Sequence, residues 1–365
     1  MHKILLLAGT RPEVIKLAPV YHALKARPLA KVVFCTSGQH GDVVSQTLRV
    51  FNIDAECSSS LQRINGSDLG ALTSELIFNL GYAFSREKPD LVIVHGDTTT
   101  ALCGALAAFY HHIPIAHVEA GLRTARFENP FPEEMNRRLV AQVAHLHFVP
   151  TETALRNLLA EGLERDAIFC TGNTIVDALE YVRTEYRPDL LFFGVKNKKL
   201  VVTCHRRESW TRLKELCAAV ESLLDRHLDL ECRWVVHPNP EIASTVYKYF
   251  RGNCRVQVIE PLAYNYFIDM IASSDVILTD SGGIIEEATV LGKALVILRE
   301  VTERPEALAL PNVRLVGYDF GKMQTQVSSW LTDPVQGIPS GVFGQPGAST
   351  SVATHILNFL GGHND

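Results

Sequence analysis

The chain has 365 residues, of which 47% are apolar and 21% charged. That is the composition of a globular protein long enough for two domains with sizeable cores. Its formal net charge of −5 argues against a general nucleic-acid binder, which carries a strong basic excess, but leaves room for a locally basic anion pocket. No run approaches the ~20 apolar residues of a transmembrane helix, and the apolar run in the opening MHKILLLAGTRPE is too short for a secretory signal. The eight cysteines are scattered with no CxxC pair, a pattern of free thiols in a reducing cytosol rather than of disulfides or zinc.

His2–Ala8 reads as a buried strand. Gly9-Thr10-Arg11-Pro12-Glu13 follows as a turn, with Pro12 at the start of a helix that runs to about Lys25. A small-residue turn at a helix N-terminus suits an anion. Arg11 and Lys16 are candidate phosphate contacts there; the competing reading makes them surface charges at a solvated helix start. Neither GxGxxG nor a Walker pattern is present, so dinucleotide and P-loop sites are not indicated. Lys31–Thr36 is a second strand, ending in Ser37-Gly38-Gln39-His40, with a helix after it to about Phe51. A long amphipathic helix covers about Asp68–Phe84.

Two short apolar runs, Leu91–Val94 and Ile113–Val118, then bracket a small-residue helix from Thr99 to about Tyr110. Ligands in open α/β sheets sit beyond the carboxyl ends of the strands. Asp97 and Glu119, just past these two runs, should therefore be neighbours. Pro132-Glu133-Glu134 opens a further helix with Asn136, Arg137 and Arg138 one turn in. Carboxylates converging in this way suit proton transfer, metal binding or sugar-hydroxyl binding. The strand His145–Val149, the helix Glu152–Glu161 capped by Thr151, the strand Ile168–Cys170 and a helix to about Tyr186 complete a doubly wound α/β domain over residues 1–186.

Arg187–Lys199 changes composition and is read as the joining region, after which the pattern restarts. Strand Leu200–Cys204 ends in His205-Arg206-Arg207-Glu208, and helix Thr211–His227 follows. Strand Arg233–Val236 ends in His237-Pro238-Asn239-Pro240. Strand Val256–Ile259, helix Tyr264–Ser274 and strand Val276–Thr279 lead to Asp280-Ser281-Gly282-Gly283 and the helix Ile284–Leu291. Strands Ala294–Leu298 and about Val313–Val316 complete a second Rossmann-like domain over 187–351. Ile338–Ser351 reads as a loop, and the terminal helix, Val352–Leu360 within 352–365, is expected to pack back on the first domain.

The two glycines Gly282 and Gly283 let the backbone approach a ligand, and N–H groups at that helix start suit phosphate oxygens. Glu286 and Glu287 are either helix-dipole charges or, turned inward, ribose ligands. A histidine beside two arginines, as His205 is, has its cationic form disfavoured, which suits acid/base work near neutrality. His237 stands at another strand end, and polar surface is the alternative for both. No HxxxH, HExxH or DxD cluster supports a metal site, and no GxSxG elbow supports a serine hydrolase. Leu262, Tyr264 and Phe267 have near-helical spacing, which means core packing by default or an aromatic flanking a base.

Taken in order, GTRPEVIK, GQH, HGDTTT, HVEAGLR, PEEMNRR, TGNTIVDA, HRRE, HPNP, PLAYNYF, DSGGIIEEA and TERPEA span nearly the whole chain. Together they resemble the non-hydrolysing UDP-N-acetylglucosamine 2-epimerase family. The resemblance implies a GT-B-type α/β fold with a cleft between two Rossmann-like domains, a homodimer, and no metal, NAD or other cofactor. It implies a cytoplasmic enzyme that takes a UDP-sugar, with no nucleic-acid or membrane partner, and that serves surface-polysaccharide synthesis. The implied reaction interconverts UDP-GlcNAc and UDP-ManNAc by loss of the C2 proton with elimination of UDP, then re-addition to 2-acetamidoglucal.

By motif match Asp97, Glu119, Glu133 and His205 are the acid/base and sugar-contacting residues. Arg11 with the backbone of Ser281, Gly282 and Gly283 would hold the diphosphate, with Lys16, His237 and Arg137 as further contacts. Glu287 would bind the ribose, and Phe267 would lie near the uracil. A regulatory UDP-GlcNAc site is implied around Gln39 and His40, but the glutamine usual two positions on is here Asp42, whose charge would weaken activation. Ser209 and Ile285 also depart from the family pattern. The rival readings are a 2-epimerase of a 2,3-diacetamido uronate, a hydrolysing epimerase, a GT-B glycosyltransferase, and a UDP-sugar-binding protein without chemistry.

Overall fold

The computed structural model describes residues 1–38, 41–58, 68–124, 126–186, 197–335 and 341–362. They fall into two compact units, one of Met1–Thr184 with Phe343–Asp365 and the other of Glu185–Val342.

The first unit opens with β1 (His2–Ala8), α1 (Arg11–Lys25), β2 (Ala30–Thr36), α2 (Gly41–Val50), β3 (Cys57–Ser58) and α3 (Leu69–Glu87). It continues with β4 (Leu91–His95), α4 (Thr99–Tyr110), β5 (Ile115–Val118), α5 (Glu133–Val143) and β6 (Leu146–Val149). Next come α6 (Glu152–Ala160), β7 (Ile168–Cys170) and α7 (Ile175–Glu185). The seven strands form one parallel sheet in the order β3-β2-β1-β4-β5-β6-β7. Ile4 to Ala8 and Leu91 to Val94 are fully buried, as strands covered by helices on both faces must be. The order reverses between β1 and β4, so the turns after these two strands frame the crevice where such sheets bind ligands.

The second unit has β8 (Lys198–Thr203), α8 (Arg207–Trp210), α9 (Leu213–Arg226), β9 (Leu230–Val235), α10 (Pro240–Tyr249) and β10 (Val256–Ile259). It closes with α11 (Tyr264–Ser273), β11 (Val276–Thr279), α12 (Gly282–Val290), β12 (Ala294–Ile297), β13 (Val313–Leu315) and α13 (Phe320–Thr332). Its parallel sheet runs β10-β9-β8-β11-β12-β13, and the order reverses between β8 and β11. Trp234, Leu223, Leu278 and Met323 are among the side chains of its continuous core.

The alternation of elements matches the sequence pattern, with four corrections. The expected helix Thr211–His227 is present as α9, and the turn expected ahead of it forms the short helix α8. Two helices were not anticipated, though each has a legible start: Asn239 caps α10 ahead of Pro240, and Asp319 caps α13 by accepting from the Lys322 N–H at 2.9 Å. The short strand β3 also lacked any apolar run to mark it. Finally, Ile338–Ser351 is not loop to its end, because the terminal helix α14 (Ala348–Gly362) begins inside it. Asp177 on α7 explains that start, since its carboxylate accepts from the N–H groups of Gly347 and Ser349, both at 2.6 Å. This tertiary contact leaves α14 packed on α1 in the first unit.

All eight cysteines are free. Among the described residues, no helix is long and apolar enough to cross a membrane.

Candidate active site

In the first unit the turn after β4 is pinned from three sides. Gly96 takes a positive φ of 63°, which turns the chain sharply at a conformation open to glycine. The Gly96 carbonyl accepts from His117 Nε2 at 2.8 Å, and the Asp97 carbonyl accepts from Asn136 Nδ2 at 2.9 Å. Thr98 caps α4 by accepting from the Ala101 N–H at 3.0 Å, and its hydroxyl donates to Glu13 Oε1 at 2.6 Å. Because a carbonyl only accepts, His117 must carry its proton on Nε2. Burial, reinforced by the neighbouring His147, pushes its pKa well down, so it is a neutral strut. The turn leaves the Asp97 carboxylate a quarter exposed and ion-paired with the buried guanidinium of Arg137.

Glu119 follows β5 with a φ of 60°. That left-handed conformation is costly for a residue with a β-carbon and tends to persist where function needs it. Its carboxylate pairs with Lys16 of α1, whose side chain is buried, and lies 3.8 Å from His95 Nε2 and 3.4 Å from Asn173 Nδ2. The structure therefore brings Asp97 and Glu119 to neighbouring strand ends, each with its own cation. Lys16 and Arg137, read from sequence as phosphate contacts, sit on these carboxylates. Glu133 is half-buried as the first residue of α5, and Arg11 is half-buried as the first residue of α1.

In the second unit Asp280, fully buried past β11, accepts from the backbone N–H of His205 at 2.8 Å and of Arg206 at 3.0 Å. It fixes the chain that follows β8. The His205 and His237 rings lie 5.6 Å apart, with Trp210 edge-on to His237 at 5.1 Å. The Asn239 N–H donates to His237 Nδ1 at 3.0 Å, so the proton of this imidazole sits on Nε2 when it is neutral.

Beside α12 lies an ion network. Glu303 meets Arg299 at 2.8 Å, Arg206 at 4.0 Å, and Arg304, while Arg304 Nε also pairs with Glu286. Burial lowers the Arg299 pKa, partly offset by Glu303. Two expectations for DSGG change here. A β-carbon on Gly282 would come within 2.6 Å of Arg304 Nη1 and 3.2 Å of Glu303 Oε1, so this glycine makes room for the network as well as for any ligand. The Ser281 N–H donates to Thr279 Oγ1 at 3.0 Å, so one of the three backbone groups expected at a phosphate is already committed. Gly283 has open space where its β-carbon would be. Glu287 and Phe267 are both buried, and Glu286, left open between two roles, is an ion-pair partner.

Of the positions that depart from the family pattern, Asp42 is exposed in the first turn of α2, Ser209 bonds Tyr318 Oη at 3.3 Å, and Ile285 is fully buried. Gln39 and His40 lie outside the described residues. Among the described residues, no three His, Cys, Asp or Glu side chains gather in a way that could hold a metal ion. Sequence reasoning missed Glu13, His95, His117, Asp280, Arg299, Glu303 and Arg304 as parts of these clusters. Asp280 had a signal, as the first polar residue past a strand. Glu13, Glu303 and Arg304 sat inside quoted motifs but had no partner visible in one dimension.

Comparison with known proteins fits this geometry. The family model for UDP-N-acetylglucosamine 2-epimerase matches residues 22–357. The UDP-N-acetylglucosamine 2-epimerase of Escherichia coli is 40% identical over 342 residues, covering 91% of each chain. The crystal structure of the Neisseria meningitidis UDP-GlcNAc 2-epimerase bound to UDP-GlcNAc is similar with a TM-score of 0.94 at 34% identity, over 98% of this chain and 100% of that one. The S. aureus MnaA structure with UDP has a TM-score of 0.91 at 35% identity, over 99% and 97% of the two chains. The two Rossmann-like units are thus of the GT-B class. With the model match covering most of its length and relatives this close, the chain belongs to the UDP-N-acetylglucosamine 2-epimerase family.

Proposed function

We propose that this chain interconverts UDP-GlcNAc and UDP-ManNAc by inversion at C2, without hydrolysis. The observation that carries the reading is the pair Asp97 and Glu119, set past adjacent strands and each matched to a buried cation. The UDP-GlcNAc and UDP held by the Neisseria and S. aureus relatives support the substrate class.

The chemistry balances without an external reagent. A carboxylate takes the C2 proton, the C1–O bond breaks with its electron pair leaving on UDP, and a C1=C2 double bond forms as 2-acetamidoglucal. UDP then adds back to C1 while C2 is protonated on its other face. Asp97, Glu119, Glu133 and His205 supply the acid, base and sugar contacts.

Arg11, Gly282, Gly283 and the Nε2 side of His237 are assigned to the diphosphate, with Ser281 beside them. The arginines around Glu303 lie beside this region. Glu287 is assigned to the ribose and Phe267 to the uracil, on motif match. A homodimer fits the apolar face on which Phe78 and Tyr82 of α3 are 77% and 69% exposed and Tyr110 of α4 is 64% exposed. A cytoplasmic role in surface-polysaccharide synthesis belongs to the same reading.

Proton NMR of the protein with UDP-GlcNAc in D2O tests it. UDP-ManNAc with deuterium at C2 in both sugars is the expected result. Free ManNAc with UDP would select hydrolysis instead, and an unchanged substrate would retire the reading.

A further inference from the structure

Glu13 lies in the first turn of α1 and is 1% exposed. A glutamate at this position commonly reaches back to its own N-cap and no further. Here Oε2 accepts from the N–H of Gly9 at 2.9 Å, the N–H of Thr10 at 2.7 Å and Thr10 Oγ1 at 2.8 Å. Oε1 crosses to the next strand end and accepts from Thr98 Oγ1 at 2.6 Å. One buried carboxylate thereby ties the turn after β1, which leads to Arg11, to the turn after β4, which carries Asp97. These two strands flank the point where the sheet order reverses.

None of the four donors is a cation. Burial pushes the Glu13 carboxyl up to about 7, against the opposing pull of those hydrogen bonds. A carboxylate here weakens the fold at neutral pH, and groups that do so tend to be kept for function.

We propose that Glu13 is a positioning residue for Asp97, its ionised carboxylate fixing the Thr98 hydroxyl and with it the adjoining Asp97 peptide. The role rests on the assignment of Asp97 to the chemistry at C2. Thr98 shows why the ionised form matters. Its oxygen accepts from the Ala101 N–H and its single proton goes to Glu13 Oε1, so one hydroxyl both caps α4 and tethers the turn. A proton on Oε1 would reverse that bond onto the second lone pair of the Thr98 oxygen, and a proton on Oε2 would face two backbone N–H groups that cannot accept it.

The other ionisable groups on the elements around it include Arg11, Lys16, His22 and Lys25 on α1, His95 and Asp97 at the end of β4, Glu119 after β5, and Glu133, Glu134, Arg137 and Arg138 on α5. All of these remain in a Glu13→Gln variant. A limb of the pH profile that the variant lacks therefore belongs to Glu13.

The test measures epimerisation and UDP binding for the full-length protein and for Glu13→Gln, Thr98→Val, Thr98→Ser and the Glu13→Gln/Thr98→Val double variant. Glu13→Gln and Thr98→Val should each lower kcat roughly 10- to 100-fold, the scale of a misplaced catalytic group, with a smaller loss of UDP affinity. The double variant should be no slower than the worse single one, and Thr98→Ser should restore the rate. The wild-type kcat should rise with pH through about 7, a step missing from Glu13→Gln.

An active wild type with Glu13→Gln at the same rate, or with losses that multiply in the double variant, overturns the role of Glu13 alone. A wild type inert toward UDP-GlcNAc overturns the functional reading and this role with it. Where Glu13→Gln does not fold, the two Thr98 variants decide: Thr98→Val at the wild-type rate overturns the proposal.

Discussion

The two units have the same architecture, a parallel sheet whose strand order reverses once, yet they use it for opposite electrostatics. At the reversal in the first unit Asp97 pairs with Arg137, which also meets Glu134 at 3.4 Å, and Glu119 pairs with Lys16, beside a neutral His117. At the reversal in the second unit three arginines, Arg206, Arg299 and Arg304, share two carboxylates, Glu286 and Glu303. The first arrangement suits moving a proton; the second, with three arginines gathered beside the start of α12, suits holding an anion. The fold supplies the place, and the residues past the strand ends supply the chemistry.

Each unit also commits a buried carboxylate to its own backbone. Asp280 holds the peptides of His205 and Arg206, and Glu13 holds those of Gly9 and Thr10 together with the Thr98 hydroxyl. The two differ in reach. Asp280 grips one neighbouring strand end from its own, whereas Glu13 joins two turns from a position on a helix.

The sharpest way to break the contrast is Asp97→Asn. Turnover should fall roughly a thousandfold, about 4 kcal/mol in the barrier, while UDP still binds by calorimetry. Unchanged turnover would remove proton transfer from the first unit. Next in size is the pH dependence of stability set by Glu13. Its pKa is raised from 4.5 to about 7, so its contribution is fully present below 4.5 and is lost as pH rises through 7. Denaturant melts at pH 5 and pH 8 should therefore show the wild type losing up to about 3 kcal/mol more than Glu13→Gln across that range. Parallel losses would mean that the carboxyl is not buried as described.

Asp280→Asn probes the other carboxylate. It turns one acceptor into a donor facing a backbone N–H, and should cost about 2 kcal/mol of stability, with loosened His205 lowering kcat. A variant of wild-type stability and rate would make Asp280 dispensable to the second unit. The smallest effect is expected from Gly282→Ala, whose β-carbon must displace the Arg304 guanidinium. A loss of about 1 to 2 kcal/mol and a weaker grip on UDP would tie the arginine network to anion binding, whereas unchanged UDP affinity would separate the two.

The sequence by itself determined most of the strands and helices, in their order, and the residues that stand past the strand ends. Apolar runs such as Leu91–Val94 and Val276–Thr279 can be buried only as covered strands, and a polar cluster after such a run has to emerge at the sheet's edge. Asp97, Glu119, His205 and Asp280 are all placed by that rule. Helix starts were legible where a capping residue preceded a helical pattern, as at Thr151, and overlooked at Asn239 and Asp319, where the capping side chain was not recognised as one.

Only the tertiary structure decided which charge meets which. Lys16 reaches Glu119 across 103 positions, and Arg137 reaches Asp97 across 40. Such partners are set by strand order, which the alternation of elements does not encode. The left-handed backbone of Glu119, the neutral tautomer of His117 and the start of α14 at Asp177 have the same origin. Each is imposed on a residue by neighbours distant in the chain, where a local preference would have chosen otherwise.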